Sequence, residues 1–305
     1  MTILSPDLWW SLHTDHVEKA RQRSAGHEAR RRSAEKHAIE DFLWEYYPLR
    51  PGLLARWHPG AGVGLLRPPS NHVGAEEYEK RLAWRWHREV DGVLRLDLDD
   101  YLAARGRGVR FVHDLTRSVL DRTPTFACFG WHEWCMVYGG EKRHDIPLRL
   151  GQAGTDRAVD SAHVRCSHYD AFRFFTEPAM PHNTVHPTRE RVLDMEQGGC
   201  LHTNMDLLKW CLQLGPAIPG DLLLDVFDLA REIRWMDMAA APYDLSGLGL
   251  EPIPIETTEG RVAYVSRQKE FAGRAHPLRQ RLHAITIRLA AVPEPGGNAS
   301  DETAI

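Results

Sequence analysis

The stretch Asp221-Leu-Leu-Leu-Asp-Val-Phe-Asp-Leu-Ala-Arg-Glu-Ile-Arg-Trp-Met-Asp-Met238 sets the fold class. Leu222, Val226, Leu229, Ile233 and Met236 recur at three- and four-residue intervals, which is the spacing of one buried helix face. Pro219-Gly220 breaks whatever precedes, and Asp221 stands where a helix cap belongs. A second stripe, Asp221, Asp225, Asp228 and Glu232, runs beside the apolar one, with Arg231 and Arg234 to screen it. A solvated face explains that stripe. Asp237 is different. It lies in the apolar run Trp235-Met-Asp-Met-Ala-Ala-Ala-Pro-Tyr-Asp244, where an unpaired charge is costly, so it needs a partner, a metal or a proton.

Outward from that helix the same reading continues. Pro6 to Lys36 is expected to be helical, with Ser5 as cap and Pro6 in the first turn. Its second half is strongly basic through Arg21, Arg23, Arg30, Arg31, Arg32 and Lys36. The region 48–70 is rich in proline and glycine and reads as an ordered loop, without helix or central strand. Glu76 to His87, Leu98 to Ala104 and Met205 to Leu214 read as helices, and Gly92 to Asp97 as a short strand. Val109 to Asp121 and Phe129 to Tyr138 are helical or mixed. Strand-like pieces are expected at Leu148 to Leu150, His163 to Cys166 and Ala171 to Phe175. Glu259 to Ala291 forms a last helix, with a break expected near Pro277. The sum is a helix-rich α+β protein, a single elaborated domain over 1–291 with short strands in its middle third. Its parts are a basic helical region at 6–47, the loop at 48–70 and a core at 76–291, followed by a disordered tail at 292–305.

Bulk composition narrows the class. The 305 residues are 43% hydrophobic and 26% charged, an ordinary globular balance. The formal net charge of -4, from 38 basic and 42 acidic side chains, weighs mildly against a non-specific nucleic-acid binder. No run approaches the roughly 20 apolar residues that cross a bilayer, and Met1 to Trp10 does not read as a signal peptide. The five cysteines, Cys128, Cys135, Cys166, Cys200 and Cys211, form no C-x-x-C pair and sit among aromatic residues, which suits reduced thiols in a cytoplasm. Seventeen histidines raise the expectation of site chemistry.

Three segments besides Asp237 carry candidate chemistry. In Phe129-Gly-Trp-His-Glu-Trp134, His132 and Glu133 lie between two tryptophans, where burial suits a carboxylic acid to proton transfer. A hydrogen-bonded pair that orients the aromatics is the plainer alternative. His163 and the group His168-Tyr-Asp170 combine imidazole and carboxylate. They suit metal ligation, or ion pairing of Asp170 with Arg165 and Arg173. In His202-Thr-Asn-Met-Asp206 the i, i+4 spacing puts both groups on one helix face, with Asn204 and Lys209 nearby. There is no G-x-S-x-G elbow, P-loop or C-x-x-C zinc frame.

The segments Cys128-Phe-Gly-Trp-His-Glu-Trp-Cys-Met-Val-Tyr138, Arg165-Cys-Ser-His-Tyr-Asp-Ala-Phe-Arg-Phe-Phe175, Leu201-His-Thr-Asn-Met-Asp-Leu-Leu-Lys-Trp210 and Leu229 to Arg234 through Pro242-Tyr-Asp-Leu245 resemble a bacterial family carried under the name 3-methyladenine DNA glycosylase. The likeness runs from Trp10 to about Leu289. It implies a DNA-repair hydrolase that needs no cofactor and removes alkylated purines from double-stranded DNA by cleaving the N-glycosidic bond. Such an enzyme stacks a flipped base, supplies a carboxylate and meets phosphates with basic groups. Trp131 and Trp134 are candidates for stacking, with Tyr169, Asn204 and Tyr243 as further substrate contacts. Glu133, Asp170 or Asp237 would act with His132 in catalysis. Arg30, Arg31, Arg32, Arg85 and Arg88 would meet the backbone, and Trp84 and Trp86 would wedge the duplex. The rival expectation is a metal-dependent enzyme acting on a small molecule, with zinc, iron or manganese held by ligands among His132, Glu133, His163, His168, Asp170, His202, Asp206 and Asp237. A non-catalytic binding protein is the third class.

Overall fold

The computed structural model describes residues 1–140 and 146–291, so the tail expected to be disordered lies outside the described residues. The chain opens with strand β1 (Thr2–Leu4) and the 28-residue helix α1 (Pro6–Ser33), entered through Pro6. Ser5 holds the cap position, but its side chain makes no capping bond. Short helices α2 (Phe42–Tyr46) and α3 (Pro51–Leu54) precede strand β2 (Val63–Leu66). After α4 (Ala75–Leu82) comes a hairpin of β3 (His87–Val90) and β4 (Val93–Leu96). Helix α5 (Leu98–Asp121) is capped by Asp97, which accepts the Asp100 N–H.

The second half is helical. Helices α6 (Trp131–Cys135), α7 (Gly151–Asp160), α8 (Tyr169–Phe172), α9 (Val192–Met195) and α10 (Leu201–Met205) are short. Helix α11 (Leu207–Leu214) leads to α12 (Gly220–Ala239) and then to the 33-residue α13 (Thr258–Ala290). α5, α10, α11, α12 and α13 pack together around one main core, in which Leu222, Val226, Leu229 and Ile233 of α12 are buried as their spacing predicts. The class is therefore helix-rich α+β. No helix of the described residues is long and apolar enough to cross a membrane.

The strands are where local reading and structure part. The four-stranded sheet has the order β1-β2-β4-β3, with β1 parallel to β2 and the other pairs antiparallel. β2 is an interior strand inside the stretch expected to hold none. Gly64 permits it, because a Cβ there would lie 2.5 Å from Val93 Cγ1. The expected helix 76–87 stops at Leu82, and its last residue, His87, begins β3. The pieces expected as strands later in the chain differ as well. Leu148 and Val164 make single bridges, to Tyr243 and Asn183, and Ala171 and Phe172 belong to α8. For β2 and the two bridges, pairing with a distant segment, not local alternation, decides. The expected helix 205–214 is α11 from Leu207 onward, with a turn at Asp206 separating it from α10, and α13 continues through Pro277. The acidic stripe of α12 is ion-paired: Asp221 and Asp225 with Arg281 at 2.6 and 2.7 Å, Asp228 with Arg23, and Glu232 with Arg274 at 2.6 Å.

The corner between α1 and the sheet is held by one buried cation. Arg81 lies over the Trp57 and Trp84 rings, donates to the Trp57 carbonyl at 3.0 Å and bonds Glu77 at 3.0 Å. It also stands 3.1 Å from His13 Nδ1, which must then accept and stay unprotonated. Burial, reinforced by Arg81, lowers the His13 pKa to about 4. Burial, with His87 and Arg81 adding, takes His58 well below its usual value. Both folded pKa values are depressed, so their stabilising contribution is full above the unfolded value of about 6.5 and fades as pH falls below it. Urea melts should give a lower unfolding free energy at pH 5 than at pH 7, of which His13 accounts for at most about 2 kcal/mol, and His13→Gln should remove that share of the difference.

Candidate metal centre

Three segments far apart in sequence deliver the polar centre. Phe129 and Gly130 are consecutive left-handed residues, with φ of 51° and 76°, and they turn the chain into α6, which carries His132 and Glu133. α10 carries His202, and the last turns of α12 carry Arg234 and Asp237. One donor atom from each of His132, His202 and Asp237 lies within 4.8 Å of the others. The His132 and His202 rings meet edge to face with centroids 4.3 Å apart. His132 Nε2 is 3.3 Å from Asp237 Oδ2, while His132 Nδ1 and Asp237 Oδ1 are buried with no partner. His132 and Asp237 are each 1% exposed, and His202 is half-buried.

Electrostatics follow from that burial. Burial favours neutral His132, yet the Asp237 carboxylate overrides it and raises the pKa to about 10. Burial, with His132 alongside, holds His202 well below its usual value. Asp237 is disfavoured as an anion by burial, but His132, His202 and Arg234 bring it below the usual carboxylate range. Arg234 Nη1 donates to Glu133 Oε1 at 2.8 Å and to Asp237 Oδ2 at 3.3 Å, and its guanidinium stacks 3.9 Å above the Phe42 ring.

A second group adjoins the first. The His168 ring, at the cap of α8, is 5.3 Å from that of His202. Its Nε2 is 3.5 Å from Glu196 Oε1 and 3.4 Å from Asp206 Oδ2. Asp206 accepts from Tyr47 Oη at 2.8 Å and from Lys209 Nζ at 3.2 Å, and Lys209 in turn bonds Asp170 at 2.6 Å. The loop before α10 is fixed from several sides. Gln197 Oε1 accepts the N–H groups of Thr125 and Gly199, Gln268 donates to the Gly199 carbonyl, and Arg122 donates to the Glu196 carbonyl. Gly199 is required there, since a Cβ would lie 2.1 Å from the Thr125 carbonyl oxygen.

The structure thus brings together His132, His168, His202, Asp206 and Asp237, with Glu133 and Asp170 one ion pair further out. His163 is exposed and not part of the group. Trp131 and Trp134 are buried at 3% and 0% exposure, and Trp134 Nε1 donates to the Ala240 carbonyl, so both are core residues and not an open stacking slot. Asn204 is buried, bonding the Gly198 carbonyl and Arg279. Tyr243 packs in a separate small cluster with Val137 and Met238, and Tyr169 is half-buried. Arg30 is tied to Asp41, Arg31 and Arg32 are exposed, Arg85 lies over Trp86 and Arg88 pairs with Asp97. Sequence reading missed Glu196 and Tyr47. The first had one signal, an acid opening the Gly-rich turn Glu196-Gln-Gly-Gly-Cys200 just before His202. A hollow of about 450 Å³ between α1, Trp57 to Pro59 and the start of α12 contains none of these residues, so its size does not mark the chemistry.

Comparison with protein families, with curated proteins and with solved structures finds no match for this chain.

Glu133 is placed as the counter-ion of buried Arg234. Glu133→Gln should therefore lower the unfolding free energy by about 3 kcal/mol, as removal of one partner of a buried pair does, measured by urea denaturation. An unchanged midpoint would mean that Arg234 does not depend on it.

Proposed function

We propose that the protein is a metal-dependent enzyme acting on a small molecule, with His132, His202 and Asp237 as the ligands of a divalent cation. One observation carries this: two imidazoles and a carboxylate, from three separate helices, bring one donor atom each to within 4.8 Å of one another. The spacing supports it. Two donors on one ion, with bonds of about 2.1 Å at a tetrahedral angle, sit about 3.4 Å apart. His132 Nε2 and Asp237 Oδ2 are 3.3 Å apart, longer than a strong imidazolium–carboxylate hydrogen bond.

Two imidazoles and one carboxylate suit zinc or iron(II), and three protein ligands leave positions for water and substrate. A water bound there would be acidified toward neutrality, and the surrounding core would shelter it. Around the ion, Arg234 fixes the Asp237 carboxylate and Glu133 neutralises Arg234, a support of the kind that orients ligands. The family resemblance points instead to alkylated purines in DNA. The two tryptophans it would use for stacking lie in the core, so the geometry favours a small substrate.

Protein purified without a histidine tag should hold a divalent metal by elemental analysis, and His202→Ala should lose it. Metal-free protein that releases methylated purines from duplex DNA would replace this reading with the glycosylase one.

A further inference from the structure

We propose that the Tyr264 hydroxyl donates a hydrogen bond to the ligand of this centre. Its target is the oxygen, from water or from a substrate carbonyl or carboxylate, that a cation on His132, His202 and Asp237 would hold. The inference rests on the metal-dependent reading above and adds a group to it. Its first support is position. Tyr264 lies near the start of α13 and is 1% exposed. The end of its ring lies against Gly130, where a Cβ would come within 3.0 Å of Cε2 and 3.2 Å of both Cζ and the hydroxyl oxygen. Gly130 is the left-handed residue that turns the chain into α6, two positions before His132. One helical turn after Tyr264, Gln268 donates to the Gly199 carbonyl at 2.7 Å, three positions before His202. The helix α13 also packs along α12, which carries Asp237. Tyr264 thus stands on the face of α13 that meets the segments delivering both imidazoles.

The second support is unmet bonding. No described residue forms a hydrogen bond with the Tyr264 hydroxyl. A buried tyrosine ordinarily has such a partner, and a phenylalanine would fill the same space without needing one. A hydroxyl kept in a core with no bond inside the fold has a use outside it.

The third support is charge. Burial, with Cys128 and Asp237 adding, pushes the Tyr264 hydroxyl well above its usual value. At neutral pH it keeps its proton, so it acts as a neutral donor and not as a further anionic ligand. A fixed neutral donor suits an oxygen on which negative charge grows, because it stabilises that charge without having to reorganise.

The test uses the full chain loaded with Co²⁺, whose visible spectrum reports what fills its open positions, and azide as the probe anion. Tyr264→Phe should take up Co²⁺ to the wild-type level. Without metal it should keep the wild-type urea midpoint, because the lost hydroxyl makes no bond within the fold. It should bind azide about tenfold more weakly, the loss of one hydrogen bond to a charged group. Fluorotyrosine in place of Tyr264 gives an independent measure, since its fluorine resonance should move far more with paramagnetic Co²⁺ than with diamagnetic Zn²⁺. Unchanged azide affinity in folded Tyr264→Phe overturns the donor. So does a lowered urea midpoint, which would make the hydroxyl a structural bond, and so does a fluorine resonance indifferent to Co²⁺. A wild type that binds no Co²⁺ overturns the metal-dependent reading itself, and this inference with it.

Discussion

The structure depends on one constraint: Asp206, Glu196 and Asp237 are carboxylates inside a hydrophobic core, beside His132, His168 and His202. Bringing a charge out of water costs several kcal/mol even after relaxation, and it is offset only by close, oriented partners. Several segments of the chain supply such partners. Arg234 reaches Asp237 from the same helix, Lys209 reaches Asp206 across one helical turn, and Tyr47 reaches Asp206 from a segment 159 residues away. The segments near the centre are correspondingly short and turn-rich, because each has to aim a particular side chain rather than bury a long stripe.

The long helices do the opposite task. α5, α12 and α13 bury apolar stripes against each other and form a frame on which α6 and α10 are mounted. Bonds between frame and mount are specific. Gln268 and Arg279 of α13 fix the turn before α10 and the helix itself, and Thr257 caps the start of α13 through the Gly260 N–H. Position in the site is thus inherited from helix packing, where shifts are small because interiors are close-packed.

How much of this could be read from sequence follows from the range of the forces involved. The buried face of α12 was legible because helical periodicity is local, and so was the anomaly of Asp237, a charge in an apolar run. The partners of Asp237 were not, since His132 and His202 are 105 and 35 positions away and nothing in their spacing ties them together. β2 was hidden for the same reason: its four residues pair with Thr2–Leu4 on one side and β4 on the other, and Gly64, which looks like a loop residue, is needed for close contact with Val93. The tryptophans beside His132 gave a misleading cue. Their size suggested a stacking surface, but large aromatics contribute most when fully enclosed, as Trp134 is.

The two halves of the centre also share an electrostatic plan. In one, Asp237 touches Arg234, and Arg234 is bonded by Glu133; in the other, Asp206 touches Lys209, and Lys209 is bonded by Asp170. Each inner carboxylate is therefore held by a cation whose charge is already balanced by an outer carboxylate. Were the outer acids absent, Arg234 and Lys209 would neutralise the inner oxygens and repel any further cation. With them in place, the cations that support Asp237 and Asp206 are themselves paired, and neither inner carboxylate is left unsupported. Glu133 and Asp170, which sequence alone marks as candidate catalytic acids, thereby act on the centre at one remove, through the charges they balance.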